Sequence, residues 1–342
     1  MLTRALGRLA GPTLLPRFEP HLHRLFGRWA ANALREQPWD VAYAFSGVAE
    51  EMLASTALQP QLRIVVRASS HIRYQDRLLR EEERRTGARL DRPSAWMIAR
   101  EEREYAAADS VRVLSSFARE TFIDEGVPES KVKLVVSGVE TRAFQASEQD
   151  LEERCKRVLS GAPLRVLTVG TFAYRKGVWD TAAGIRTLGT QRFAYRFVGP
   201  VVPEAADLAA ELQHHATFVP KLLQSQLPQA YAWGDVFLLP SIEDGFPAVL
   251  AQAAAAGLPI VTTPNGAGHD LVEDGKNGWV VAIRRPDLIV ERLRWADAHR
   301  LELADMIRTC QSSTNVRDSA QVAADFERMC ADSLYAGAVP AA

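Results

Sequence analysis

The chain has 342 residues, of which 47% are hydrophobic and 24% charged, and its formal net charge at pH 7 is −1. The length favours two domains over a single core, and the balanced charge argues against a general affinity for nucleic acid. The three cysteines, Cys155, Cys310 and Cys330, lack the paired spacing of a disulfide framework or a zinc site. This cysteine usage is typical of a reducing, cytoplasmic environment.

The first 35 residues are rich in arginine and contain one acidic residue, Glu19. The arginines are Arg4, Arg8, Arg17, Arg24, Arg28 and Arg35. Apolar residues in this segment recur at the spacing of one helix face, namely Leu22, Leu25, Phe26, Trp29 and Ala33. We favour an ordinary helix that packs on its domain, and keep as the alternative a basic amphipathic helix on anionic lipid at the cytoplasmic face of the membrane. No apolar run reaches the roughly 18–20 residues that span a bilayer.

From about residue 40, short apolar runs rich in β-branched residues alternate with amphipathic helical stretches. This alternation predicts an α/β fold with parallel sheets covered by helices. The first series of predicted strands comprises 41–45, 63–67, 110–114 and 132–136. The second series comprises 164–170, 195–199, 216–219, 235–240, 259–263 and 278–282. Two such series predict two Rossmann-like domains with a cleft between them, where ligands of α/β folds usually bind.

The domain boundaries follow from this pattern. We predict an N-terminal domain over 1–140, a linker with one charged helix over 141–160, and a C-terminal domain over 161–317. A last helix in 318–342 is expected to pack back toward the N-terminal domain. The stretch 78–92 is so rich in Arg and Glu that we interpret it as a solvated helix face.

The stretch 235–281 contains the most informative pattern. A predicted strand ends at Pro240, and a loop with Asp244, Gly245 and Phe246 leads into a helix of small residues that begins near Pro247. Backbone N–H groups and a carboxylate at such a helix start are suited to holding sugar hydroxyls or phosphate. Gln252 follows Asp244 by eight residues, so it lies on the side of the helix that faces the same cleft.

A second pattern lies in "VLTVGTFAYRKG", residues 166–177. A predicted strand ends at Gly170, and Lys176 with Gly177 opens the next helix. A lysine beside free N–H groups at a helix start favours binding of a diphosphate, because the point charge and the donors converge on the same anion.

Together these stretches resemble family 4 of the retaining glycosyltransferases, which have the two-domain GT-B fold. The likeness covers roughly residues 40–290. The family pattern is Pro-Ser followed by Glu-Gly-Phe, with a second Glu eight positions after the first. By position, the resemblance implies that Asp244 contacts the donor sugar and that Gln252 holds the ribose of the nucleotide, each in place of the usual Glu. It also implies donor contacts from Gly245 and Phe246.

In the same family, Gly-Arg-Leu and a later Lys-Gly hold the donor phosphates. The resemblance places Gly170 and Thr171 at the first of these motifs and Lys176 at the second. Thr171 replaces the family arginine, and the neighbouring Arg175 is the candidate substitute. His71, which follows the predicted strand 63–67, lies where many relatives carry a histidine that contacts the transferred sugar. We therefore take Lys176, Asp244 and His71 as the candidate catalytic residues.

Members of this fold usually open with a strand and a glycine-rich turn, whereas this sequence opens with a helix-like segment. We therefore expect the N-terminal domain to lack its first strand, and the remaining sheet to leave an open edge that promotes self-association.

The resemblance implies transfer of a hexose from a UDP- or GDP-sugar to an acceptor hydroxyl, with a carbohydrate or lipid-linked acceptor, in polysaccharide or glycolipid synthesis. The nucleotide sugar is a co-substrate, and we expect neither a cofactor nor a metal. Two alternatives remain open: a nucleotide-sugar epimerase, and a non-catalytic binding or scaffold protein.

Overall fold

A computed structural model describes residues 2–55, 60–313 and 316–335, with side chains from Phe18 onward. The chain begins with a long helix, α1 (Leu2–Ala33), and then builds a parallel four-stranded sheet in the order β1-β2-β3-β4. The strands are β1 (Val41–Phe45), β2 (Leu62–Arg67), β3 (Ser110–Val113) and β4 (Val132–Leu134). The helices between them are α2 (Glu50–Leu53), α3 (Ile72–Thr86), α4 (Ala95–Ala107) and α5 (Ser116–Asp124).

A parallel six-stranded sheet forms the second half, in the order β10-β9-β8-β5-β6-β7. Its strands are β5 (Leu164–Val169), β6 (Phe193–Val198), β7 (Ala216–Val219), β8 (Val236–Leu239), β9 (Ile260–Thr262) and β10 (Gly278–Val280). The helices of this half are α6 (Glu148–Leu159), α7 (Val178–Leu188), α8 (Ala206–Leu212), α9 (Leu227–Trp233), α10 (Ala248–Ala255), α11 (Gly268–Leu271), α12 (Pro286–Ala298) and α13 (Arg300–Ser313). The predicted α/β architecture with two parallel sheets is thus confirmed.

The second sheet is buried on both faces. All four residues of β8 are buried, as is most of β5, because helices cover each side of a parallel sheet. The helix α6 lies in the stretch that the sequence assigned to the linker, yet Leu151, Cys155 and Val158 pack into the core of the C-terminal domain. The many charged residues of α6 led the sequence interpretation to assign this helix to the linker. A stripe of three apolar residues is nevertheless enough to pack this 12-residue helix on the domain core.

The last helix, α14 (Ser319–Tyr335), lies on the sheet of the N-terminal domain. Its Phe326 contacts the ring of Tyr43 edge-on, and the guanidinium of Arg112 lies 5.2 Å from the centre of the Phe326 ring. The chain therefore has residues of both domains on either side of two connections, one near residues 135–147 and the other between α13 and α14.

The first sheet ends at β1. The described chain between Leu2 and Asp40 is helical apart from its last few residues, so among the described residues β1 has only β2 as a neighbour. Tyr43 and Phe45 are exposed on this edge strand. Residues 2–40, as the structure describes them, thus contribute no strand to the N-terminal sheet, in agreement with the sequence prediction.

The helix α1 packs through a face different from the apolar one that the sequence singled out. Gly27 and Ala31 are buried, and a side chain at Gly27 would collide with Glu51. Leu25, Phe26 and Trp29 remain 68%, 50% and 64% exposed. The favoured interpretation, packing of that apolar face on the domain, is therefore wrong for these residues.

Candidate functional site

The loop that follows β8 lies at the carboxyl edge of the second sheet. Neighbouring side chains hold three of its backbone carbonyls: the Thr262 hydroxyl donates to Leu239 at 2.8 Å, the Thr263 hydroxyl to Ser241 at 2.6 Å, and the Asn265 amide to Ile242 at 2.8 Å. These donors come from the end of β9 and the loop after it. The loop is therefore fixed before its acidic residues meet any ligand.

The loop after β5 lies beside it, because β5 and β8 are paired neighbours. Gly170 directly follows β5, Thr171 is half-buried, and a 3-10 turn at Tyr174–Lys176 precedes α7. Gly177 has a φ of +72°, and any side chain there would collide with the carbonyl of Pro240. This glycine lets the two loops touch, and the carbonyl of Arg175 accepts a hydrogen bond from the backbone N–H of Ile242 at 2.9 Å.

Two cations and one predicted acid meet where the loops touch. The ammonium of Lys176 donates to the carboxylate of Asp244, and the guanidinium of Arg175 donates to the backbone carbonyl of Glu243 at 3.0 Å. Arg175 also lies 3.9 Å from the second carboxylate oxygen of Asp244. Burial lowers the pKa of Lys176, although Asp244 opposes that shift. This cluster of positive charge at a helix start is chemically suited to an anionic ligand.

Other predicted donor-site residues lie further along the same loop and in the helix that follows it. Gly245 follows Asp244 directly, and its N–H donates to the Asp244 carboxylate at 2.9 Å. Phe246 is half-buried and packs on the apolar core of the C-terminal domain. Gln252 lies on α10, is buried, and accepts a hydrogen bond from the Tyr231 hydroxyl at 2.9 Å.

The structure places His71 on the N-terminal side, at the residue that caps α3. Its ring nitrogen Nδ1 accepts from the backbone N–H of Arg73, and its ring packs between Tyr105 and Phe122. The side chain is buried, and desolvation lowers its pKa from 6.5 to about 4. His71 is therefore neutral at physiological pH, and its assignment as a sugar contact stays a prediction.

The loop contains a second acid, Glu243, to which the sequence interpretation gave no role. Glu243 points away from Lys176 and into the N-terminal domain, where Ser69, Ser70 and Gln75 donate hydrogen bonds to its carboxylate. A pair of adjacent acids gives no indication in sequence of which one faces which domain. Ser69 and Ser70, which closely follow the predicted strand 63–67, were the available sequence signal for this contact. Hydroxyl groups at the end of a strand are placed toward the cleft.

The Arg- and Glu-rich stretch of α3 is not a solvated helix face, contrary to the sequence interpretation. Arg284, which has a left-handed φ of 60°, donates to Glu81 at 2.8 Å, to Glu82 at 3.0 Å and to the carbonyl of Leu78 at 3.0 Å. Arg85 pairs with Asp180 of the C-terminal domain. Charged residues of α3 therefore contribute to the contact between the domains.

Comparison with known proteins shows what the segment that carries these loops is similar to. Residues 163–296 match the family model described as "Glycosyl transferases group 1". This segment spans both loops, with Lys176 and Asp244. The C-terminal domain is therefore similar, over these residues, to glycosyl transferases group 1.

Curated proteins from several organisms are similar to this chain. The putative colanic acid biosynthesis glycosyltransferase WcaL of Salmonella typhimurium is 29% identical over 49% of this chain and 43% of its own length. The amylovoran biosynthesis glycosyltransferase AmsK of Erwinia amylovora is 26% identical over 52% and 45%. A GDP-mannose-dependent phosphatidylinositol monomannoside mannosyltransferase of Mycobacterium tuberculosis is 25% identical over 54% and 51%. The chain spans about half the length of these curated relatives.

Solved structures extend the similarity to both domains. The structure of Anabaena HepE in complex with UDP superposes with a TM-score of 0.68 and 15% identity, over 90% of this chain and 82% of that one. Sucrose-phosphate synthase of Thermosynechococcus elongatus gives a TM-score of 0.67 at 18% identity, over 91% and 78%. At these identities the match establishes the fold, and the two-domain arrangement is the GT-B fold that the sequence predicted.

Proposed function

We propose that this chain is a retaining glycosyltransferase that transfers a hexose from a UDP- or GDP-sugar to an acceptor hydroxyl, in polysaccharide or glycolipid synthesis. The observation that carries the proposal is the meeting of Lys176, Arg175 and Asp244 at the carboxyl edge of the second sheet. The relatives named as glycosyltransferases of colanic acid and amylovoran biosynthesis, and as a phosphatidylinositol monomannoside mannosyltransferase, support this class of reaction.

In this proposal the donor diphosphate lies against Lys176 and Arg175. Negative charge builds on the diphosphate as the sugar leaves, and cations held in place beforehand stabilise that charge. The carboxylate of Asp244 stands in the structure where an anion would meet Lys176. When the diphosphate takes that place, Asp244 turns to a hydroxyl of the donor sugar. This scheme requires neither a protein nucleophile nor a metal.

The acceptor is proposed to be a carbohydrate or a lipid-linked sugar bound by the N-terminal domain. Among the described residues, none of the helices is apolar over a length that would cross a bilayer. The exposed stripe of α1 supports peripheral contact instead, because Leu25 and Trp29 face solvent beside the exposed Arg24 and Arg28. We propose that this stripe rests on anionic lipid at the cytoplasmic face of the membrane.

Calorimetric titration with UDP, GDP and their sugars, followed by a turnover assay, tests the proposal. A glycosyltransferase binds one nucleotide and releases it from the nucleotide sugar when an acceptor is present. Binding without turnover on any acceptor favours the scaffold alternative. Release of an altered sugar without an acceptor favours the epimerase. Failure to bind either nucleotide removes the proposal.

A further inference from the structure

Glu243 belongs to the C-terminal domain by sequence, yet most donors to its carboxylate belong to the N-terminal domain. Its Oε1 accepts from the Ser69 hydroxyl at 2.5 Å, the Ser70 hydroxyl at 2.8 Å and the Ser70 backbone N–H at 3.2 Å. Its Oε2 accepts from the Gln75 amide at 3.0 Å. The side chain is completely buried, so these bonds exist only while the two domains are in contact.

The charge of this carboxylate makes the contact energetically significant. Burial opposes ionisation of Glu243, but Arg175 and the hydrogen bonds from Ser69, Gln75 and Ser70 together hold its pKa below the usual range. Arg175 is the nearby cation, 3.5 Å from Oε2. A buried carboxylate is tolerated when hydrogen-bond donors replace its water. If one donor is removed while the domains stay closed, an oxygen of the buried Glu243 carboxylate loses a hydrogen bond, which destabilises the closed arrangement.

The N-terminal side of this contact is rigid. Arg67 donates to the Gln75 side-chain oxygen at 2.8 Å and pairs with Glu101 at 2.9 Å, so the Gln75 amide is held toward Glu243. Arg67 and Glu101 are themselves largely buried. The donors therefore occupy their positions before Glu243 reaches them, which lowers the entropy cost of closure.

Glu243 is followed in the chain by Asp244 and then by Gly245. The backbone of Gly245 lies against the backbone of Ala68, so closely that a side chain at Gly245 would collide with the Ala68 carbonyl. On its other side the loop is bonded to Arg175. The orientation of Asp244 toward Lys176 thus depends on contacts with both domains.

We infer that Glu243 is a positioning residue: its bonds to Ser69, Ser70 and Gln75 latch the domains together and thereby orient Asp244 at the donor site. It does not touch substrate. The consequence for turnover rests on the proposed function, whereas the latch itself does not. A loss of about 1 Å in positioning at a reacting group costs about 100-fold in rate, so a large fall in kcat is expected from a residue outside the site.

The latch is tested by the distance between the domains. Cysteines for spin labels are placed at Ala107→Cys and Gln213→Cys, which are exposed on the N- and C-terminal domains, while the native Cys155, Cys310 and Cys330 are buried. Pulsed electron paramagnetic resonance then compares the distance between the two labels in the otherwise wild-type protein and in Glu243→Gln. In the wild type we expect one narrow distance. In the variant we expect a broader, longer distribution, because the amide repeats the shape of the carboxylate without its charge.

A second variant reaches the latch from the other domain. Ser69→Ala combined with Ser70→Ala removes two donors to Glu243 and is expected to open the domains in the same way, even if a Glu243 variant fails to fold. The control is Glu211→Gln, which breaks an exposed ion pair with Arg186 inside the C-terminal domain. This control should keep the wild-type distance and kcat. Circular dichroism verifies that each variant is folded.

Kinetics separates positioning from simple stability. We expect Glu243→Gln to lower kcat by about 100-fold, with a smaller change in the KM for the donor, since Lys176 and Arg175 remain. Distances unchanged in both variants overturn the latch. Open domains with an unchanged kcat overturn the positioning role. Open domains in a protein whose wild type binds no nucleotide support the latch and remove the proposed function.

Discussion

Gln252 accepts a hydrogen bond from the Tyr231 hydroxyl at 2.9 Å in the buried interior of the C-terminal domain. This bond occupies the side-chain oxygen of Gln252 and so orients its amide group. A residue that holds ribose hydroxyls needs such an orientation, because an amide has one accepting end and one donating end. The bond therefore supports the ribose role that the resemblance placed on Gln252, which is not yet tested.

We predict that Gln252→Glu is folded and binds UDP or GDP more tightly than the wild type. The carboxylate still accepts from Tyr231, and its second oxygen accepts a ribose hydroxyl in a charge-assisted bond about twice as strong as a neutral one. Titration calorimetry measures the dissociation constant. Tyr231→Phe is a comparison variant that removes the hydrogen bond to residue 252. It should lower the free energy of unfolding by about 1 kcal/mol. An unchanged nucleotide affinity in both Gln252→Glu and Gln252→Ala removes Gln252 from the site.

Lys176→Ala is expected to lower kcat by about 100- to 1,000-fold. This corresponds to a loss of about 2.7–4 kcal/mol of transition-state stabilisation, the usual magnitude for a contact with developing negative charge. The fold should survive, because the pair that Lys176 forms with Asp244 lies at a loop and not in the core. Lys276→Ala is a matched control, since Lys276 pairs with Glu273 on the exposed surface of the same domain. Near-normal turnover by Lys176→Ala with a competent donor contradicts the diphosphate assignment.

Gly245→Ala tests the close approach of the two backbones. The added methyl group collides with the carbonyl of Ala68, so we expect the domains to separate and turnover to fall while the C-terminal domain stays folded. Spin-label distances and kcat measure the two effects. Gly184→Ala is the control, because its methyl would lie 3.7 Å from Ile289, an ordinary contact. An active, closed Gly245→Ala protein would show that the loop moves aside without cost.

The pKa of His71 predicts how stability depends on pH. The unfolded chain takes up the proton near pH 6.5, whereas the folded protein resists protonation down to about pH 4. Stability from this group is therefore complete above pH 6.5 and is lost as pH falls toward 4, by about 3 kcal/mol in total. Urea unfolding at several pH values measures the slope. His71→Asn keeps a side chain that can cap the helix and should flatten the dependence of stability on pH. An unaltered slope contradicts the lowered pKa of His71 as its cause.

The sequence predicted the ten strands and their split into two sheets because buried parallel strands leave uninterrupted apolar runs, as in Val236–Leu239. It also singled out Lys176 and Asp244, whose motifs lie next to strand ends and which the structure brings into contact. It could not show that Glu243 faces the opposite domain from Asp244, since both are acids in one loop. The charges of α3 were misread for a related reason: Glu82 is buried only because Arg284, some 200 positions later, meets it.

The packing of α1 was unpredictable for a different physical reason. Helix contacts are decided by which face allows the closest approach, and here Gly27 lies against the carboxylate of Glu51, with which an added side chain would collide. The larger residues Leu25, Phe26 and Trp29 carry the stronger sequence signal, yet they point away from the domain. Apolar periodicity identified the helix but not its partner.

The exposed stripe of α1 leads to the last prediction, that the protein sediments with vesicles containing anionic lipid. Leu25→Ser with Trp29→Ser should abolish this binding, because the apolar side chains enter the lipid boundary. Arg24→Gln with Arg28→Gln should weaken it by about 30-fold, since each basic residue near an anionic surface contributes about 1 kcal/mol. Leu301→Ser, at a residue 71% exposed on the C-terminal domain, is the matched control and should bind normally.

Two results would contradict the membrane interpretation. One is equal sedimentation of the wild type and Leu25→Ser with Trp29→Ser. The other is a wild-type dimer in size-exclusion chromatography that this double variant converts to a monomer, since a second copy would then cover the stripe. High salt distinguishes the contributions further: it should weaken binding through the arginines, whose attraction is screened within about 10 Å at 0.1 M salt, and leave the apolar contribution in place.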